Sequence, residues 1–158
     1  MIKIEDKFLF EDECTNIFSY CETALYVYGE TDGYGFPPTG MTHEIPKSNF
    51  IFNLLEEKTR PFVSDKHKLY RMYINCFAPS ENPYFHTDGN KGDVTFLYYA
   101  NNYWNVQEGG ETQFIVDNEI YGVTPVPNRM VYFDASILHR ATSFRNRHRF
   151  TVAIKYET

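Results

Sequence analysis

The stretch "ENPYFHTDGNKGDVTFLYYANN", residues 81–102, decides the reading of this chain. Its second half, from Val94, is a run of β-branched and aromatic residues that ends in turn formers and reads as a strand. Just before it, His86 and Asp88 flank Thr87. In extended backbone, residues i and i+2 point to the same side, so an imidazole and a carboxylate converge on one spot. Taken alone, the pair has a bland reading too. "TDGN" carries the Asx and glycine chemistry of a surface turn.

Further strands follow in both directions. "KLYRMYINCFAP" precedes the stretch. "GGETQFIV", "IYGVTPV", "NRMVYFDAS", "LHRATSF" and "HRFTVAIKYE" follow it, short and separated by turn residues. That spacing predicts a β barrel or sandwich. Upstream, "IKIEDKFLF" alternates like a first strand and "LYVYGE" like a short one. "EDECTNIFSYCETA" has acids at its start and places Ile17, Phe18, Cys21 and Leu25 at helical spacing. "TDGYGFPPTG" is a loop, and its Tyr34 and Phe36 suit either a lid or a plain surface turn. "PKSNFIFNLLEEKTR" begins with Pro46 and Ser48, reads as a helix, and ends near Pro61. The fold class is therefore mainly β with N-terminal helices (α+β), a jelly roll with the helices packed on one outer face. The chain of 158 residues suits a single domain, with 1–68 as helical support and lid region and 69–158 as the jelly-roll core.

The net charge of −6 argues weakly against a general nucleic-acid or anionic-membrane binder. Aromatic residues reach 18%, nearly all Tyr and Phe, and favour strands with large packed areas. Three cysteines with no CxxC suggest neither a disulfide framework nor a zinc-thiolate site. "MIKIEDKFLFEDE" lacks the apolar stretch of a signal peptide, and no apolar run is long enough to span a bilayer. A soluble protein of the reducing cytoplasm is the expectation.

A second histidine would turn the His86/Asp88 pair into a metal site. The candidates are His43, His67, His139 and His148. His139 follows an apolar strand and a small-residue turn, where a barrel could fold it back against His86. Two histidines and one carboxylate form a facial triad with three open positions, the pattern of non-haem Fe(II) oxygen chemistry. Zinc prefers tetrahedral closure with N and S ligands. The bland alternative is a half-buried histidine bonded to a carbonyl. In "RNRHRFTVAIKYE", Arg149 and Thr151 share one strand face while Val152 and Ile154 take the other. An arginine pointing into a barrel needs an anion, and a dicarboxylate would supply one through two parallel hydrogen bonds. Otherwise Arg149 belongs to an exposed basic tip with Arg145 and Arg147.

His86-Thr87-Asp88, then His139, then Arg149 ten residues later, resembles the Fe(II)/2-oxoglutarate dioxygenases, in particular their prolyl 4-hydroxylase-like subgroup. "VTFLYYANNYW", "GGETQF", "RMVYFDASILHRA" and "RFTVAIKY" resemble the strands that follow the HxD, form the Gly-Gly hairpin, deliver the distal histidine and carry the closing arginine. The resemblance covers about residues 69–156 and implies the double-stranded β-helix form of the jelly roll. It implies that His86, Asp88 and His139 hold Fe(II). It also implies that Arg149 binds the distal carboxylate of 2-oxoglutarate, with Tyr99 and Thr151 adding hydrogen bonds. O2 is the third participant, and the products are succinate, CO2 and a hydroxylated C–H. An intact Asp88 favours hydroxylation over halogenation. One departure is Phe77, which stands where the family often has a tyrosine. Tyr73 or Asn75 on the same strand face would then supply the missing polar group. The substrate, a protein or peptide side chain or a small metabolite, stays open. Two rivals differ in kind: a nucleic-acid demethylase of the same superfamily, and a non-catalytic, cupin-like metal-binding jelly roll. The first places its cosubstrate arginines much further past the distal histidine. The second has no use for an inward Arg149. Trp104 reads as packing, and Arg140, next to a proposed ligand, faces either substrate or solvent.

Overall fold

The structure, a computed structural model, describes residues 1–158. In chain order the elements are β1 (Ile2–Asp6), α1 (Glu11–Thr23), β2 (Val27–Tyr28), β3 (Met41–Glu44), α2 (Phe50–Thr59), β4 (Lys68–Phe77) and β5 (Val94–Tyr99). There follow β6 (Thr112–Val116), β7 (Glu119–Val123), β8 (Arg129–Asp134), β9 (His139–Ala141) and β10 (Arg149–Glu157). A seven-stranded sheet runs β1-β8-β5-β10-β4-β3-β2, and a three-stranded sheet runs β7-β6-β9. Their named strand pairings are antiparallel. This is the jelly roll expected from the strand pattern.

The two faces of β10 explain its near-complete burial. Phe150, Val152, Ile154 and Tyr156 join Met72, Ile74 and Cys76 of β4 in an apolar core against Ile17 and Cys21 of α1 and Ile51 and Leu55 of α2. The opposite face turns toward the small sheet. There Tyr73, Leu97, Tyr99, Phe114, Val131, Phe133 and Ala153 form a second core. The period-two alternation thus splits β10 into a helix-facing apolar row and an inward row of Arg149, Thr151, Ala153 and Lys155. Every inward polar residue of that row is buried.

The helices pack on one outer face of the large sheet, as their apolar spacing requires. Glu11, Asp12 and Glu13 favour the N-terminus of α1 electrostatically, and the Glu13 carboxylate accepts the Phe10 N–H at 2.9 Å. The cap of α2 is Asn49, whose side chain accepts from Ile51 N at 2.9 Å. Pro46 and Ser48 instead form the turn before it, closed by Asn49 N on Pro46 O. Two details depart from the sequence pattern. Leu25 lies beyond the end of α1 and is 85% exposed. The four residues of β3, which carry no run of apolar residues, become a strand by pairing with β4. No helix is long and apolar enough to cross a membrane.

Candidate active site

His86 and His139 arrive on two segments that lock each other. Their backbones exchange hydrogen bonds of 3.0 Å in both directions. Asp88 N and Gly89 N both donate to Ala135 O, at 2.9 and 3.2 Å, which ties the loop after His86 to the turn before His139. The extended backbone then turns His86 and Asp88 to one side. Their donor atoms and that of His139 all lie within 4.8 Å of one another. The surface-turn reading of "TDGN" fails on burial, because the Asp88 side chain is only 6% exposed.

Both imidazoles are held in one tautomer by their own loops. His86 Nδ1 sits 3.0 Å from Tyr84 O, and His139 Nδ1 sits 3.0 Å from Ile137 O. A carbonyl only accepts, so each Nδ1 carries a proton, and when the ring is neutral its Nε2 presents a lone pair. His86 Nε2 is 3.6 Å from Asp88 Oδ1, and His139 Nε2 is 3.4 Å from Asp88 Oδ2. An ion about 2.1 Å from each donor would set adjacent donors about 3 Å apart, so the three groups fit a divalent ion after small side-chain movements. Two imidazoles with one carboxylate, and no thiolate, is the donor set of an open non-haem Fe(II) site. Burial, helped by His139, lowers the pKa of His86 against the opposing pull of Asp88. Burial alone would raise the Asp88 carboxyl, but His139 and Lys155 outweigh it and hold it well below the usual carboxylate range.

The cavity of about 180 Å³ runs from these donors to Arg149, and Thr151, Thr112, Tyr73, Asn75 and Lys155 also line it. Arg149 is 2% exposed, so the exposed-tip reading does not hold. Its Nη2 donates to Thr112 Oγ1 at 2.8 Å, and its Nε has no partner at all. Burial lowers its pKa, yet a guanidinium stays charged in proteins. An unpaired cation this deep calls for an anion. A carboxylate reaching in from the cavity would supply the missing counter-charge. Gly110, at φ +81°, lets the chain pass close to the Trp104 ring behind Arg149, where a Cβ would come within 2.9 Å of the ring. Trp104 itself packs against Phe144 and donates to Gly109 O.

The remaining sequence candidates separate. Thr151, Tyr73 and Asn75 face the cavity. Tyr99 lies beneath Arg149, with the guanidinium 5.3 Å from its ring, and its hydroxyl donates to Thr112 Oγ1 at 2.7 Å rather than lining the cavity. Arg140 stacks over Phe85 and bonds Gln113. His43 and His67 are bonded elsewhere, to Tyr20 and Leu25 O, and to Ser64 and Gly92 O. The loop "TDGYGFPPTG" does reach the cavity, through Thr31, Asp32, Gly33 and Thr39. Tyr34 points to solvent, while Phe36 stacks on Tyr84 with centroids 4.2 Å apart.

Three residues escaped the sequence reading. Asp32 accepts from Tyr84 N at 2.8 Å and places its other oxygen 3.2 Å from His86 Nδ1, so a loop carboxylate backs a candidate metal donor. Nothing in the loop's composition marks it. Thr112 accepts from both Arg149 and Tyr99, and alternation in "GGETQF" places it on the same inward face as Phe114. Lys155 lies four residues past Thr151 on its strand face, and its Nζ is 2.9 Å from Asp88 Oδ1. The alternation that placed Arg149 and Thr151 inward places Lys155 there too.

A sequence model described as the 2OG-Fe(II) oxygenase superfamily matches residues 72–156, more than half of the chain. The chain belongs to the 2OG-Fe(II) oxygenase superfamily. It is thus a 2-oxoglutarate-dependent dioxygenase, with Fe(II), 2-oxoglutarate and O2 as its cofactor and cosubstrates. Solved structures share the fold at low identity. A prolyl hydroxylase from Trichoplax adhaerens, in complex with a hypoxia inducible factor peptide fragment, aligns with TM-score 0.76 at 16% identity, over 98% of this chain and 82% of that one. The viral collagen prolyl hydroxylase of Paramecium Bursaria Chlorella virus-1, as a 2OG complex, aligns with TM-score 0.74 at 16% identity, over 98% and 94%. HygX from Streptomyces hygroscopicus, with nickel and 2-oxoglutarate bound, aligns with TM-score 0.76 at 13% identity, over 98% and 82%. No curated protein sequence matches the chain.

Proposed function

We propose that this dioxygenase hydroxylates an unactivated C–H bond, releasing succinate and CO2, with His86, Asp88 and His139 as the Fe(II) ligands. The observation that carries this reading is the pairing of two features in one cavity. A ready donor triad lies at one end, and a buried, unpaired Arg149 lies at the other. Arg149 would hold the distal carboxylate of 2-oxoglutarate, and Thr151 would add a hydrogen bond. Thr112 and Tyr99 fix the guanidinium from the side and from below. Tyr73 and Asn75 supply cavity polarity where Phe77 has none.

Fe(II) supplies the oxidative decarboxylation and the oxygen chemistry. The chain's own part is to bind, orient and exclude water. The two Nδ1–H groups, anchored on carbonyls, keep both Nε2 lone pairs aimed at the ion. The loop around Asp32 closes part of the cavity wall. An intact carboxylate at Asp88 favours hydroxylation. No observation favours a non-catalytic module, which would leave Arg149 buried without purpose.

The substrate is a protein or peptide side chain or a small metabolite. The Trichoplax relative is bound to a peptide, and HygX has been solved with hygromycin B. We place the protein in the cytoplasm, since Cys14, Cys21 and Cys76 are all free thiols. The test is a screen of peptides and free amino acids for a mass gain of one oxygen coupled one-to-one to succinate. The reading fails if the Fe(II)-loaded protein neither binds 2-oxoglutarate nor forms succinate with any of them.

A further inference from the structure

We infer that Lys155 is a positioning residue that holds Asp88 to one-oxygen coordination and so keeps a metal position free for the cosubstrates. The inference rests on the proposed Fe(II) site and adds a role for a lysine outside the metal and 2-oxoglutarate contacts.

Lys155 is 8% exposed, and its Nζ makes one ion pair, 2.9 Å from Asp88 Oδ1. Its other neighbour is the ring of Tyr73, 5.2 Å from the ammonium. A buried ammonium cannot give up its one carboxylate without a large desolvation cost. The contact with Oδ1 therefore persists when an ion enters. Both oxygens lie near an imidazole nitrogen, Oδ1 3.6 Å from His86 Nε2 and Oδ2 3.4 Å from His139 Nε2; with Oδ1 engaged by Lys155, Oδ2 is the oxygen left to the metal.

The consequence is a matter of coordination number. A facial triad is useful because it leaves three positions open. A carboxylate is free to bind a metal through one oxygen or two. If Asp88 used both, one of those three positions would be filled by the protein. A charge-assisted hydrogen bond on Oδ1 opposes this, because the ammonium occupies one of its lone pairs and draws its charge away from the metal. The alternation of β10 delivers the ammonium from the same strand face as Arg149 and Thr151, so one strand both anchors the cosubstrate and guards the metal.

The test compares the parent protein with Lys155→Met and Lys155→Arg, each loaded with Co(II), Zn(II) or Mn(II). The ligand-field spectrum and X-ray absorption of the Co(II) forms should show one more protein oxygen ligand in Lys155→Met than in the parent. Lys155→Arg should return the parent spectrum. Zn(II) affinity should be held or raised in Lys155→Met, while 2-oxoglutarate affinity falls. Loss of both affinities together would indicate general loosening and overturn the inference. So would identical Co(II) spectra in parent and Lys155→Met. Should Lys155→Met fail to fold, a crystal structure of the parent with Mn(II) and 2-oxoglutarate decides. Asp88 bound through one oxygen with Lys155 on the other supports the role, and two-oxygen binding refutes it. A parent that binds no divalent ion would sink the metal-site reading itself.

Discussion

Replacing Arg149 by methionine should make the protein more stable and unable to hold its cosubstrate. In the absence of ligand, Arg149 is a guanidinium at 2% exposure with an orphaned Nε and one hydrogen bond, to a neutral hydroxyl. Glu111 acts on it only from beyond ion-pair distance. Replacing buried ionic groups by well-packed apolar residues is often neutral or stabilising by about 1–4 kcal/mol, and Arg149 has no counter-ion to offset its desolvation. The shorter methionine leaves some void, and Thr112 keeps the Tyr99 hydroxyl as a partner. A net gain of about 1–3 kcal/mol then raises the melting temperature by roughly 3–9 °C for a chain of this size. The opposite effect follows for 2-oxoglutarate. Breaking one side of a buried charge pair costs about 2–5 kcal/mol, at least a roughly 30-fold loss of affinity. The assay is thermal unfolding of the Zn(II)-loaded protein with and without 2-oxoglutarate. At a concentration 100 times its dissociation constant, the cosubstrate stabilises the parent by about 2.7 kcal/mol, and Arg149→Met by less than about 1 kcal/mol. Arg147→Ala is the control, since Arg147 is exposed over Tyr103, and both readings should match the parent. An Arg149→Met protein that melts below the parent and keeps the full cosubstrate shift would refute the account.

Further outcomes follow from the same geometry. His139→Ala should abolish stoichiometric divalent-ion binding measured by calorimetry while leaving the fold intact by circular dichroism, and unchanged affinity would mean that the triad is misassigned. Gly110→Ala should weaken 2-oxoglutarate binding without touching metal affinity, because a methyl at φ +81° is strained and collides with the Trp104 ring beside Arg149. Cys21 and Cys76, pushed up to about 12 and about 11 by burial, should resist iodoacetamide at pH 8 until the protein is unfolded, as followed by mass spectrometry. Glu30, bonded to Arg71 at 2.9 and 3.2 Å, has a lowered pKa. Its hold on the 29–40 loop is therefore full above its ordinary 4.5 and lost as pH falls through the lower folded value, so hydrogen exchange of the loop should be slow at pH 5 and rise as the solution is acidified below 4.5. Glu30→Gln should exchange fast across that whole range.

How much of this was legible in the sequence depends on how local the cause is. Strand alternation is a property of the backbone, so His86 with Asp88, and Arg149 with Thr151, could be placed on shared faces from spacing alone. Bringing His139 to His86 required a topology, and the jelly-roll pattern of short strands was enough to suggest it. The apolar spacing of α1 and α2 found the helices, but Leu25 shows that periodicity does not mark an end. The strand Met41–Glu44 exists because β4 offers an edge, which no window of four residues records. Asp32 is the clearest case of the same limit. Its role depends on a loop of glycine and proline folding over a histidine 54 positions later, held by Thr39, Tyr84 N and the Glu30–Arg71 pair. Composition predicts that such a loop is irregular and says nothing of where it lands. Lys155 is different, because the rule that found Arg149 also reaches it. A lysine on an inward strand face is as costly as an arginine there. Asking what anion each inward cation meets pairs Lys155 with Asp88 and leaves Arg149 for the solute carboxylate proposed above.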